Sequence, residues 1–169
     1  MYSRSFILPI IIQVLAGICL AQSDHLNFTT VAIVNNVSVI QCWQLNRSIV
    51  PISAAKSSTL GAFRDPVNAT WLSAPAGTPN PEHTANAIEY NVILSGTLHL
   101  GVYETGQTAT IKGGAHGLLL VTDTTGNGNS AAITDDAPAV ALTLPIKEGV
   151  IPCYVVLHDG QCLDEEMNF

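Results

Sequence analysis

The chain of 169 residues has few charged side chains, and basic ones are the scarcest. Lysine and arginine number 6 against 13 aspartates and glutamates, charged residues make up 11%, and the formal net charge is -7. Proteins that bind nucleic acid neutralise phosphates with basic side chains, and anionic membrane surfaces attract the same residues. The composition therefore argues against nucleic acid as a partner and against electrostatic attachment to a membrane.

Beyond residue 21 the sequence also lacks an amphipathic helical pattern. Apolar residues alternate or form short runs between Gly, Pro, Asn and Asp, which is typical of many short strands. Hydrophobic residues make up 47% of the chain, enough for the core of one domain and too many for a disordered protein. The predicted strands are residues 31–44 (a pair around Asn35 and Asn36), 87–95, 97–103, 108–112, 117–123, 140–145 and 154–158.

Residues 1–21 have the pattern of a secretory signal peptide. Arg4 supplies a positive start, residues 6–15 are apolar except for Gln13, and small residues at Cys19 and Ala21 precede the predicted cleavage. A membrane anchor is the alternative, but the apolar run is roughly half the ~20 residues that a spanning helix needs. We therefore expect residues 22–169 to form a secreted, extracellular domain with no integral membrane segment; its oligomeric state stays open.

Four Asn-x-Ser/Thr acceptor sites agree with secretion. Asn27, Asn36, Asn46 and Asn68 all lie in the first half of the chain, and no such site follows Asn68. An unused or buried asparagine is the alternative at any one of them. Together they predict surface glycans on this half of the domain.

The cysteine count predicts a disulfide. Cys19 leaves with the leader, so three cysteines remain, and an odd number outside the cell predicts one internal disulfide and one leftover thiol. Pairing Cys42 with Cys162 would close a loop of about 120 residues and contribute ~4 to 5 kcal/mol in the chain-entropy account. Cys153 with Cys162 is the competing pair, and the state of Cys153 stays open.

The segment from His83 to Gly96 resembles the first half of a cupin motif. In that motif two histidines precede a glutamate on a strand, and a glycine turn follows. His83 falls on the first histidine, Glu89 on the glutamate and Gly96 on the turn. Ala85 stands where the second histidine belongs.

A wider set of motifs resembles those of small secreted cupin-like proteins of fungi. Cupins place their last metal-binding histidine after an Asp-Thr-Thr-Gly-x-Gly turn, and this chain has Asn129 there. The resemblance implies an all-β, single-domain, cupin-like double-sheet barrel of jelly-roll type, with its two ends tied by Cys42 and Cys162. The family has mostly no assigned reaction. The matching motifs are Cys42-Trp43 and residues 83–86 (HTAN), 113–118 (GGAHGL), 123–128 (DTTGNG), 141–145 (ALTLP) and 156–162 (VLHDGQC).

The candidate site residues are histidines and one glutamate near the expected barrel mouth. His83, Glu89, His99 and His116 would form an iron, manganese or zinc site if they converge. Without a metal, Glu89 with His83 or His99 is the candidate for acid–base catalysis, because burial raises the pKa of a carboxyl group. Asn91 shares the strand face of Glu89, and His99, ten residues after Glu89, has the same strand parity across a hairpin. Glu89, Asn91 and His99 are therefore the candidate ligand-binding residues. Unrelated histidines and a solvated strand face are the alternatives.

Three functions remain open at this stage. The first is a secreted barrel that binds a small molecule in its cavity. The second is an enzyme at the same site, either metal-dependent or an auxiliary isomerase or coupling protein for an exported metabolite. The third is a structural or host-interaction glycoprotein with an inert cavity. We favour the first; converging histidines would favour the second and a filled core the third.

Overall fold

The structure, a computed structural model, describes residues 25–48, 50–52, 55–57, 68–134 and 136–167, so the predicted leader lies outside it. Within those ranges the regular elements are strands, apart from a 3-10 turn at Lys147–Gly149, and the predicted all-β class is confirmed. In the ranges that the structure describes, no helix is long and apolar enough to cross a membrane. The strands are β1 (His25–Val34), β2 (Val37–Ser48), β3 (Val50–Ile52), β4 (Ala55–Ser57), β5 (Thr70–Ala74), β6 (Glu89–Ser95), β7 (Thr97–Val102), β8 (Gln107–Lys112), β9 (Leu118–Val121), β10 (Ser130–Ile133), β11 (Ala139–Pro145) and β12 (Tyr154–Asp159).

Two sheets of unequal size form the body of the domain. The central sheet has seven strands in the order β12-β2-β1-β9-β6-β11-β5, and the second sheet has three in the order β10-β7-β8. A short hairpin, β3-β4, stands apart from both. The predicted double-sheet arrangement is present, but in the described ranges no hydrogen-bonded strand pair joins the two larger sheets into a closed barrel.

The β1–β2 hairpin shows how local sequence sets the strand order. Asn35 and Asn36 have φ angles of 51° and 65°, a left-handed conformation that asparagine tolerates better than most residues. The two strands then pair antiparallel, with Val34 opposite Val37. The predicted strands all appear with shifted ends, whereas β3, β4, β5 and β10 are strands that the sequence pattern did not predict.

The space between the two larger sheets holds one apolar core. We call the side of the central sheet that faces the three-stranded sheet its inner face. Side chains from this face meet side chains from β7 and β8 of the smaller sheet. The buried members are Val31, Ile40, Ile93, Leu100, Val102, Ala109, Ile111, Leu119, Val121 and Ala141.

The opposite side of the central sheet, its outer face, is buried as well. Phe28 and Tyr90 meet edge to face with ring centroids 6.3 Å apart, and Trp43 stacks on Tyr154 at 3.6 Å. Ile146, which follows β11, packs against this cluster. Because successive strand residues point to opposite faces, β1, β2 and β6 each contribute to both cores.

The Cys42–Cys162 disulfide is present and links β2 to the segment after β12. The two residues are 120 positions apart, as the sequence predicted. The prediction of a leftover thiol is wrong, because the part of the chain that the structure describes contains no free cysteine. The odd count depended on removing Cys19 with the leader, and Cys19 lies outside the described residues.

Candidate functional site

A cavity of about 410 Å³ lies between the inner face of the central sheet and the three-stranded sheet. Its volume is within the range typical of small-molecule sites. Most of its wall is apolar, and much of that wall is small. Alanines at five lining positions leave the space that larger side chains would fill: Ala74, Ala85, Ala131, Ala139 and Ala141.

One end of the cavity is polar, and β6 supplies its centre. Glu89 and Asn91 are two residues apart on this strand, so both point to the inner face. The Asn91 amide donates to Glu89 Oε1 at 3.2 Å, and its carbonyl oxygen accepts from the Thr143 hydroxyl at 2.7 Å. Thr143 is the register partner of Asn91 on β11. The strand pairing therefore fixes the orientation of the Glu89 carboxyl group.

The Glu89 carboxyl group is half-buried, and its pKa lies above the ordinary value. Burial is the main cause, since it disfavours the charged form. The hydrogen bond from Asn91 and the field of His83 act in the opposite direction, while the nearby Asp123 raises the pKa further. Glu89 is therefore easier to protonate than an exposed glutamate.

His83 lines the cavity, where an isolated backbone bridge to Asn129 holds it. In this bridge the backbone amide of each residue donates to the carbonyl of the other, at 2.9 and 3.0 Å. Gly128 allows this approach, because a Cβ atom there would lie 2.3 Å from the His83 carbonyl oxygen. His83 Nδ1 lies 2.8 Å from the Pro81 carbonyl oxygen. Since a carbonyl only accepts, Nδ1 carries the hydrogen, and in the neutral ring Nε2 is an acceptor.

Asp123 is a polar residue of this site whose role the sequence did not predict. Its side chain is fully buried behind Asn129, whose amide donates to Asp123 Oδ2 at 2.9 Å, and the Ser38 hydroxyl donates to the same oxygen at 3.2 Å. Asp123 Oδ1 has no partner among the described residues. Burial raises the pKa of Asp123, against the effect of the bonds from Asn129 and Ser38. The sequence indicates only that Asp123 begins the turn at residues 123–128.

The histidines predicted beside Glu89 divide between this cavity and other places. His83 lies at the cavity. His99 is exposed on the far side of the three-stranded sheet, with Nδ1 2.9 Å from the Thr110 hydroxyl. His116 lines a separate depression, where its Nδ1 lies 3.4 Å from Asp164. The four candidate metal ligands therefore do not converge.

The residues present at the cavity do not fit a metal centre. The motif positions for two further ligands hold Ala85 and Asn129, both of which line the cavity without offering a metal-binding imidazole. In the described part of the chain, one group of three His, Cys, Asp or Glu side chains has its donor atoms within 4.8 Å of one another, and two of the three are the disulfide-bonded Cys42 and Cys162.

The predicted glycan acceptors differ in exposure. Asn36, Asn46 and Asn68 are exposed. Asn27 is buried, with its amide donating to the Glu166 carbonyl at 2.7 Å and its oxygen accepting from Gln44 at 3.0 Å. The folded domain therefore presents three of the four sites at its surface.

No protein-family model and no curated protein matches the chain. Among solved structures, it is similar to the cupin domain of Cnp3 from Schizosaccharomyces pombe, with a TM-score of 0.35 and 14% sequence identity. The match covers 74% of this chain and 86% of that one. At this level of similarity, the resemblance to cupins continues to rest on the motifs of the chain itself.

Proposed function

We propose that the chain is a secreted protein that binds a small molecule in the cavity between its two larger sheets, and that it is one of the small cupin-like secreted proteins its motifs resemble. The observation that carries the proposal is a cavity of about 410 Å³ with apolar walls and one polar end. Protein interiors are normally close-packed. A space of this size, lined by alanines from both sheets, favours a binding site over an inert core.

Three features support secretion. The leader pattern at residues 1–21 predicts export and leaves a domain of residues 22–169. The Cys42–Cys162 disulfide is of the kind that persists in oxidising compartments. Asn36, Asn46 and Asn68 are exposed, as glycan acceptors need to be. We include glycosylation at these three positions in the proposal.

Ligand binding is tested with N-phenyl-1-naphthylamine, a neutral fluorophore whose emission rises in apolar surroundings. We expect saturable, one-to-one binding to the wild-type protein. Ala131→Leu places a larger side chain in the cavity and should weaken binding by about tenfold or more, which corresponds to roughly 1.4 kcal/mol. Ala132→Leu is the matched control, because Ala132 is the next residue on β10 and points to the opposite face.

Two results would contradict binding in the cavity. One is the absence of saturable binding to the wild-type protein. The other is equal binding to the Ala131→Leu and Ala132→Leu variants, which would place the fluorophore elsewhere. Thermal unfolding of both variants checks that each is folded before binding is compared.

Acid–base catalysis at the same cavity is the second candidate. It is favoured by the raised pKa of Glu89 together with His83, whose Nε2 is an acceptor in the neutral ring. Molecules that co-purify with the protein from a secreting host are incubated with fresh protein and analysed by mass spectrometry. Conversion by the wild type and not by Glu89→Gln would support an enzyme, whereas recovery of unchanged molecules supports binding alone.

A further inference from the structure

We propose that the cavity selects an apolar molecule that carries an amine or hydroxyl group, and that it rejects the carboxylate of the same skeleton. This inference rests on the proposed function and names its ligand class. It is carried by the hydrogen-bonding groups that remain available at the polar end of the cavity, and by the charges that surround them.

Three donors at the polar end are already directed at acceptors of the protein. The Thr143 hydroxyl donates to Asn91 Oδ1 at 2.7 Å. The Asn91 amide donates to Glu89 Oε1 at 3.2 Å, and the Asn129 amide donates to Asp123 Oδ2 at 2.9 Å. These bonds occupy the hydroxyl hydrogen and one amide hydrogen of each asparagine. The second amide hydrogens of Asn91 and Asn129 remain, as do the amides of Asn80 and Asn86 in the lining, so the donors alone do not decide between ligands.

Two acceptors at the polar end are also left for a ligand. No described residue donates to Glu89 Oε2, although Asn91 donates to its partner oxygen. His83 Nδ1 is engaged with the Pro81 carbonyl, so Nε2 is the ring atom available, and in the neutral ring it accepts. An amine or hydroxyl group supplies the hydrogen that both of these atoms lack.

The charges act in the same direction. No lysine or arginine is among the described residues that line the cavity, and His83 is the one lining side chain there that can gain a positive charge. Glu89 lies in the lining and Asp123 lies behind Asn129, so the local charge is acidic. An anion drawn into these apolar walls would lose its hydration without a fixed cation in return, which is strongly unfavourable.

The test is displacement of bound N-phenyl-1-naphthylamine by octylamine, octanol and octanoate at neutral pH. The three competitors share one alkyl skeleton and differ in the head group. We expect octylamine to displace the fluorophore at about one tenth of the octanoate concentration, the effect of one charge-assisted hydrogen bond, with octanol between them. This comparison needs no variant.

Two matched variants assign the preference to Glu89. Glu89→Gln keeps the shape and the acceptor for Asn91 but removes the charge, and it should reduce the octylamine preference to about threefold or less. Glu82→Gln makes the same change of net charge at an exposed residue outside the cavity lining, and it should leave the preference intact. Salt is kept constant, since the whole chain carries a net charge of -7.

Octanoate competing as well as octylamine would overturn the inference and leave small-molecule binding standing. An equal loss of preference in Glu82→Gln and Glu89→Gln would also overturn it, because the effect would then come from the overall charge. Failure of the fluorophore to bind the wild-type protein would instead contradict the proposed function. Thermal unfolding of both variants shows whether each is folded.

Discussion

The two faces of the central sheet are built from the same strands, and both are apolar, but only the inner face borders a cavity. On β6, Tyr90 points to the outer face and is 1% exposed, packed edge to face against Phe28. Its neighbours on the strand, Glu89 and Asn91, point to the inner face and line a cavity. Aromatic rings thus fill the outer face, while on the inner face alanines and polar side chains leave a cavity beside the apolar core.

Small residues on β11 help to form the cavity, at a place where the strand also has a register shift between Val140 and Ala141. β11 contributes Ala139 and Ala141 to the inner face, and each of them is 4% exposed and small. The outer face supplies the dense packing that stabilises the fold. Residues of the inner face can therefore serve binding even where they lower the free energy of unfolding, as is common at functional sites.

The largest expected effect comes from the filled face. Phe28→Ala removes a fully buried ring that contacts Tyr90, and it should lower the free energy of unfolding by about 3 to 5 kcal/mol, measured by urea unfolding. Ile93→Ala is the comparison on the inner face. Because Ile93 already borders the cavity, we expect a smaller loss of about 2 kcal/mol. Equal losses would contradict the contrast between the faces.

The next largest effect is the loss of stability when Asp123, the buried carboxyl group at the polar end of the cavity, is replaced. Asp123→Ala leaves the Ser38 hydroxyl and the Asn129 amide without their acceptor, which should cost about 1 to 3 kcal/mol. The cost should be larger at acidic than at neutral pH. Burial raises the pKa of Asp123, so its ionised form is itself unfavourable at neutral pH, and removing it offsets part of the loss.

The control for Asp123 is an exposed aspartate with one similar bond. Asp159 Oδ1 accepts from the Gln41 amide at 3.1 Å on the surface. Asp159→Ala should change the free energy of unfolding by no more than about 0.5 kcal/mol, because water replaces the lost bond. A loss as large as that of Asp123→Ala would show that burial is not what gives Asp123 its role. Urea unfolding at both pH values measures the two variants side by side.

Most of the strand positions and part of the site followed from local sequence. Alternation along β6 placed Glu89 and Asn91 on one face, and the asparagine pair at residues 35–36 placed a hairpin turn. Such features depend on neighbouring residues and on the period of two in a strand. The cupin resemblance added His83, which lies at the same cavity in the structure.

The sequence could not predict features that depend on which sheet a strand joins. Counting strand parity from Glu89 placed His99 in the cavity, but Gly96, with a φ angle of 80°, turns the chain out of the central sheet and into the three-stranded one. On β7 the inward residues are Leu98 and Leu100, so His99 is exposed. Asp123 was missed because one of its partners, Ser38, is 85 residues away.

The smallest expected effect is the pH dependence of stability that Glu89 causes on the inner face. Burial raises the pKa of Glu89 above the ordinary 4.5, so the folded protein holds this proton more tightly than the unfolded chain. Ionised Glu89 therefore lowers stability at neutral pH, and this cost disappears as the pH falls below 4.5. Glu89→Gln should raise the free energy of unfolding at neutral pH by no more than about 1 kcal/mol, with little difference at acidic pH.

Unfolding of Glu89→Gln and Glu82→Gln over a range of pH distinguishes a charge effect from a packing effect. Glu82 is exposed, so its variant should follow the wild type at every pH. A gain in Glu89→Gln that persists at acidic pH would mean better packing of the amide, not relief of a buried charge. If the gain depends on pH and the same variant loses its preference for octylamine, then the inner face keeps Glu89 at a cost in stability. A residue kept at such a cost is more readily explained by ligand recognition than by folding.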